Sequence, residues 1–174
     1  IGYSMKCFLI SFVFIFAGFV VRSQQHSSAT NQKNVVVAPR SIWLDELPIK
    51  SFSEGIPGIL AKTNQGGDSM RMAGKTYTHG IGVASTSIIS FLLEGKATSF
   101  SATVGVDDLG IKLVPHFFYV LGDGKILFAS GAMKHGDQPK SFTIDLKGIQ
   151  RLGMLVMVKD EGYTKVYSNW ANAK

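Results

Sequence analysis

Phe100-Ser101-Ala102-Thr103-Val104-Gly105-Val106 alternates apolar residues with small or polar ones, and the fold turns on that period of two. In an extended chain, successive side chains point to opposite faces, so Phe100, Val104 and Val106 share one face. The same alternation sets Phe142, Ile144 and Leu146 together, and Leu152, Met154, Val156 and Val158 together on another segment. Strands of this kind put one face in a core and the other in water, the antiparallel pattern. Further short apolar runs lie at 80–83, 88–93, 116–121 and 126–129, broken by Gly, Asp and Asn. Gly122-Asp123-Gly124-Lys125 sits between two of these runs and signals a hairpin. Residues 42–50 have room for one short helical turn, and no long stripe of 3.6-residue period occurs elsewhere. Short strands at a spacing of about 8–12 residues argue for an all-β fold, an antiparallel sandwich or jelly roll. We read one such domain over residues 35–174, with no internal repeat.

The front of the chain has a different character. Met5-Lys6 opens a short positive region, followed by an apolar run at 8–21 that is short for a membrane span. This predicts a secretory leader over residues 1–23, cut after Ser23, with Ile1 to Ser4 as upstream readthrough. Residues 24–34 are polar and predict a flexible spacer. The expected location is outside the cytoplasm, extracellular or periplasmic, with no membrane attachment after cleavage. The one cysteine, Cys7, falls in the leader, so the mature domain has no internal disulfide, thiolate metal cluster or cysteine nucleophile. The formal charge of +6 includes Lys6 and Arg22 of the leader. The remaining basic residues are scattered, which argues against nucleic acid as a partner.

Catalytic signatures are missing from the sequence. It holds no G-x-S-x-G elbow, no H-E-x-x-H and no phosphate-cradling glycine loop. His79, His116 and His135 are far apart, without the spacing of a metal pair. Asp107 and Asp108 are adjacent, and neighbours on a strand face opposite ways, so they cannot flank one glycosidic bond. One of them at a strand end is better suited to capping a loop or meeting a ligand.

Six stretches carry a family resemblance. They begin with Trp43-Leu44-Asp45-Glu46-Leu47-Pro48 and continue with Gly74-Lys75-Thr76-Tyr77-Thr78-His79-Gly80-Ile81-Gly82-Val83. Next come Phe100 through Asp107-Asp108, then Val120-Leu121-Gly122-Asp123-Gly124-Lys125. Ser130-Gly131 with Gly136-Asp137-Gln138-Pro139, and finally Asn169-Trp170-Ala171-Asn172-Ala173, complete the order. In that register the chain resembles the NPCBM family of carbohydrate-binding modules from about Trp43 to Ala173. The resemblance implies a galactose-binding-domain-like jelly roll attached to glycoside hydrolases, notably family 27 α-galactosidases and the family 98 enzymes. It implies galactose-containing oligo- or polysaccharide as partner, a C-terminal catalytic domain in the parent chain, and a structural calcium ion (Ca2+) as cofactor. The chain departs from the family where a histidine usually follows G-(I/L)-G-V, here Ala84. It also has Asn169 and Asn172 for two closing aspartates, and Val166-Tyr167-Ser168 for an acidic-and-histidine segment.

A hexose site needs an aromatic face for the C–H side of the ring and planar polar groups for the hydroxyls. By loop position, Trp43, Tyr163, Tyr167 and Trp170 are candidate platforms, and His79, Asp107, Asp108 and Asn169 candidate hydrogen-bonding groups. The set taken forward is His79, Asp107, Asp108, Tyr163, Asn169 and Trp170. Both tryptophans have a competing reading as core residues. Gly80, Gly82, Gly105, Gly122 and Gly124 read as sites of turns or close backbone approach. For calcium, Asp45 and Asp160 are the candidates, family-like acids near the two ends that a sandwich would bring together. The expected function is non-catalytic targeting of a secreted glycoside hydrolase, the alternative a structural or protein-docking sandwich.

Overall fold

The alternating segment becomes a strand in the interior of a sheet. The computed structural model describes residues 40–49, 59–84, 86–110, 114–159 and 166–174. A short 3-10 turn, Leu44–Glu46, precedes strands β1 (Ile59–Ala61), β2 (Met70–Met72), β3 (Lys75–Tyr77), β4 (Gly80–Ala84) and β5 (Ser87–Leu92). Then follow β6 (Ser99–Val106), β7 (His116–Gly122), β8 (Lys125–Met133), β9 (Lys140–Asp145), β10 (Arg151–Val158) and β11 (Tyr167–Ala171). One sheet has the order β1-β4-β11-β6-β9 and a second the order β5-β10-β7-β8, while β2 and β3 form a separate hairpin. Every pairing in the described residues is antiparallel. The fold is the all-β sandwich expected.

The two sheets close on each other through their apolar rows. Phe100, Val104 and Val106 of β6 and Leu152, Met154 and Val156 of β10 are buried in one core. Trp170 of β11 is fully buried and meets Phe118 of β7 edge-on, centroids 5.4 Å apart at 80°. Removing either ring would cost about 3–5 kcal/mol. The 122–125 hairpin is real: Asp123 and Gly124 both have positive φ, 48° and 81°, as a two-residue primed turn requires.

The five-stranded sheet departs from the one-wet-face expectation. Its outer row is small or polar, Gly80, Gly82, Gly105, Asn169 and Ala171, and it is buried. The β2–β3 hairpin covers it, with Met70, Met72 and Tyr77 packed against Ala171 in a second apolar cluster. A Cβ on Gly105 would come within 2.7 Å of the Met72 sulfur. The close backbone approach read from the glycines is the basis of this third layer.

His116 of β7 and Ser168 of β11 tie the sheets together inside the core, Nδ1 to Oγ at 2.7 Å. Burial holds the His116 imidazole down to about 4, from an ordinary 6.5. The unfolded chain therefore binds this proton at a higher pH than the fold does. Stability is full above pH 6.5 and falls as the pH drops toward 4, by roughly 3 kcal/mol for this group. Denaturant titrations at pH 7 and pH 4.5 should show His116→Gln losing less stability on acidification than the native chain. Equal losses would disprove the assignment.

Candidate functional site

Asp107 follows β6 directly and is fully buried. Its Oδ1 accepts from Asn64 Nδ2 at 3.1 Å and the Leu109 amide at 3.0 Å. Its Oδ2 accepts from Asn169 Nδ2 at 2.6 Å and the Arg71 amide at 3.1 Å. A buried carboxylate is tolerated where N–H donors compensate it, and four do so here. Asn64 carries the network outward, its Oδ1 accepting from the Gly66 and Asp68 amides at 2.8 and 3.1 Å. The hub thus joins the 64–68 loop, β2, the end of β6 and β11.

Asp108, next along the chain, takes its own partners in the β2–β3 hairpin. Its Oδ2 accepts from the Gly74 amide at 3.0 Å and faces Arg71 Nε at 3.3 Å. The Asp108 amide in turn donates to the Arg71 carbonyl at 2.8 Å, and His135 Nε2 lies 2.8 Å from the Asp108 carbonyl. Beside this pair opens a cleft of about 440 Å3, lined by Asp68, Ser69, Arg71, Thr76, Asp107, Asp108 and Leu109. Its groups are carboxylate oxygens, hydroxyls and a guanidinium that is mostly exposed, with Leu109 as an apolar lip. Such groups can hold sugar hydroxyls, since a hydroxyl both donates and accepts. Acid–base catalysis at Asp107 is blocked, because all four of its lone-pair directions are filled by donors.

The structure separates the residues put forward from sequence. Asp107, Asp108 and Asn169 come together. Asn169 and Asp107 are fully buried in the hub, however, and Trp170 is fully buried in the core. Their polar and aromatic groups are engaged inside the fold, and Asp107 alone of the three also borders the cleft. His79 lies at the opposite end of the sheet. Gly80, its neighbour, is level with Ala171 and Thr103, four residues short of Asp107, roughly 13 Å along the strands. There His79 stacks on half-buried Trp43, centroids 4.4 Å apart at 9°, with Lys174 Nζ 5.2 Å from the indole centroid. Tyr163 and Asp160 lie outside the described residues, as do the leader and spacer.

Asp45 shares the His79 end. Its side chain is fully buried, and Oδ2 accepts from the Gly80 amide at 3.0 Å and lies 3.1 Å from His79 Nδ1. Calcium takes six to eight oxygen ligands. A carboxylate facing N–H donors is the wrong donor set, and among the described residues no three of His, Cys, Asp or Glu gather as a metal site. The residues at Asp45 do not fit the ion.

Asn64, Asp68 and Arg71 escaped the sequence reading. The polar glycine loop Asn64-Gln65-Gly66-Gly67-Asp68 was the available signal, a pattern in which an Asn side chain caps its own turn. The departures at Ala84 and Tyr167 are direct cross-strand partners, and the Asp107 amide donates to the Tyr167 carbonyl at 3.1 Å. They therefore adjoin the hub.

Comparison with known proteins agrees with this architecture. The NPCBM/NEW2 domain profile matches residues 40–174. A Renibacterium salmoninarum protein named for endo-alpha-N-acetylgalactosaminidase activity is 32% identical over 108 residues. That match covers 62% of this chain, which spans 7% of the relative's length. A CBM51 domain from a Clostridium perfringens GH95 protein, solved with methyl-galactose, superposes with a TM-score of 0.66 at 26% identity. The match covers 77% of this chain and 98% of that one. A second, CBM51-2 of Clostridium perfringens ZmpB with GlcNAc and INT domains, gives 0.67 at 25% identity, covering 75% and 30% of the two chains.

Proposed function

Because the chain belongs to the NPCBM/NEW2 domain family, we propose that it holds galactose-containing glycans in the Asp68–Arg71–Asp108 cleft and so brings a secreted glycoside hydrolase to its substrate. The domain itself is a non-catalytic carbohydrate-binding module of a kind associated with glycoside hydrolases. The observation that carries the reading is the division of labour between adjacent aspartates. Asp107, buried at the wall of the opening, holds three segments in place, and the less buried Asp108 and Asp68 line the opening those segments form. Galactose is favoured among sugars because one neighbour of similar fold was solved with methyl-galactose and the relative is named for a galactosaminide-cleaving activity. An α-galactosidase is the parent enzyme we favour.

Asp68 is exposed, and its carboxylate makes no hydrogen bond among the described residues, so it is the cleanest probe. Asp68→Ala should weaken binding of a methyl galactoside at least tenfold, about 1.4 kcal/mol, in a calorimetric titration. Its stability should stay within about 0.5 kcal/mol of the native chain. Unchanged affinity would remove the cleft from the proposal. Ala84 and Tyr167, beside the hub where the family has other residues, favour a second reading in which the sandwich docks protein instead. No binding of the native chain across a glycan array would select it.

We place the mature protein outside the cytoplasm, on the leader read at residues 1–23. Among the described residues no helix is long and apolar enough to cross a membrane. Mass spectrometry of the exported protein should find a start at Gln24, and a retained leader would contradict the cut.

A further inference from the structure

The cleft is lined almost wholly by polar side chains, and among the described residues that line it there is no aromatic ring. Leu109 is the one apolar side chain in that lining, and it is 54% exposed. It is also held in place. The Leu109 amide donates to Asp107 Oδ1 at 3.0 Å, and the Gly110 amide donates to the Asp107 carbonyl at 2.8 Å. The buried hub therefore closes the turn that carries Leu109, and fixes an aliphatic side chain at a rim shared with Asp68 and Asp108.

A hexose presents two unlike faces to such a site. In galactose the axial O4 leaves the hydrogens of C3, C4 and C5 on one face, a continuous apolar patch. In glucose the equatorial O4 puts the C4 hydrogen on the other face and breaks the patch. We propose that Leu109 is the platform for the C3–C5 face, and that it makes the cleft prefer galactosides to glucosides. Leu109 has this role only where the cleft is the sugar site, as proposed above. An apolar wall facing a few fixed polar groups sets one orientation of the ring, with its hydroxyls toward the carboxylates and the guanidinium. A glucoside offers Leu109 less apolar surface and carries O4 away from any group that meets an axial one, so it is held less tightly.

Calorimetric titration of the chain with methyl galactoside and with methyl glucoside tests this. The native chain should hold the galactoside about tenfold more tightly. Covering a half-exposed leucine is worth roughly tenfold in affinity, so Leu109→Ser should weaken the galactoside by about that factor. The same variant should bring the two sugars within about threefold of each other and leave Tm at the native value. Leu109→Met should keep the native preference. An equal loss for both sugars overturns the selective role of Leu109, and so does a native chain that holds both equally. Native affinity in Leu109→Ser with a loss in Asp68→Ala overturns the platform and leaves the cleft standing. A native chain that holds neither sugar overturns both.

Discussion

Asn169→Asp is expected to lower stability by about 3–5 kcal/mol at pH 7, the cost of an uncompensated buried charge. Asn169 Nδ2 lies 2.6 Å from Asp107 Oδ2, and both residues are fully buried. The substitution turns a donor into a second carboxylate at the same point. Two carboxylates in one dry site cannot both ionise, so the pair keeps a proton that the unfolded chain has released. The folded form then binds more protons than the unfolded one above about pH 4, and stability falls as the pH rises through that range. Denaturant titrations at pH 5 and pH 7 should find the deficit smaller at pH 5. A variant as stable as the native chain at pH 7 would mean that the hub is not built on this bond.

Gly82→Ala should be nearly as damaging, by about 3 kcal/mol, and should also disable the cleft. An added Cβ would sit 2.3 Å from the Thr63 carbonyl oxygen and 2.7 Å from the Asn64 Cα. These are backbone atoms, so no rotamer change relieves the clash. Gln65 Nε2 also donates to the Gly82 carbonyl at 3.1 Å, which fixes the loop on this strand. Displacing the loop moves Asn64 away from Asp107 and Asp68 away from the opening. Gly136 is the contrast, with nothing within 4 Å of a Cβ and only the strain of φ +88°. Gly136→Ala should cost only about 1–2 kcal/mol, and thermal melts of the two variants side by side would show the gap. Similar melts for both would contradict the close docking of the loop.

What the sequence disclosed follows from which contacts are local. Period two over 99–106 is a local property, and the strand begins and ends where that alternation does. β11 escaped because its row is Tyr167-Ser168-Asn169-Trp170-Ala171, with polar residues at buried positions. The buried Ser168 hydroxyl and Asn169 Nδ2 find their partners in His116 and Asp107, across 52 and 62 residues of sequence. No window of a dozen residues contains that information. β2 and β3 are three residues each, too short for a period to register. That one of the two aspartates closing β6 would cap a loop was legible from the sequence, and the distant partners that bury Asp107 and leave Asp108 part-exposed at the opening were not. Trp170 shows the same limit, since its core position depends on Phe118 of the facing sheet.

A buried aspartate hub holds open a cleft at one end of the five-stranded sheet, and that cleft is the proposed sugar site. Amide chemical-shift mapping of the chain titrated with a methyl galactoside tests it most directly. The largest shifts are predicted at Asp68, Ser69, Arg71 and Asp108, with His79 and the four-stranded sheet still. Shifts centred on His79 and Trp43, or none at saturating sugar, would contradict it.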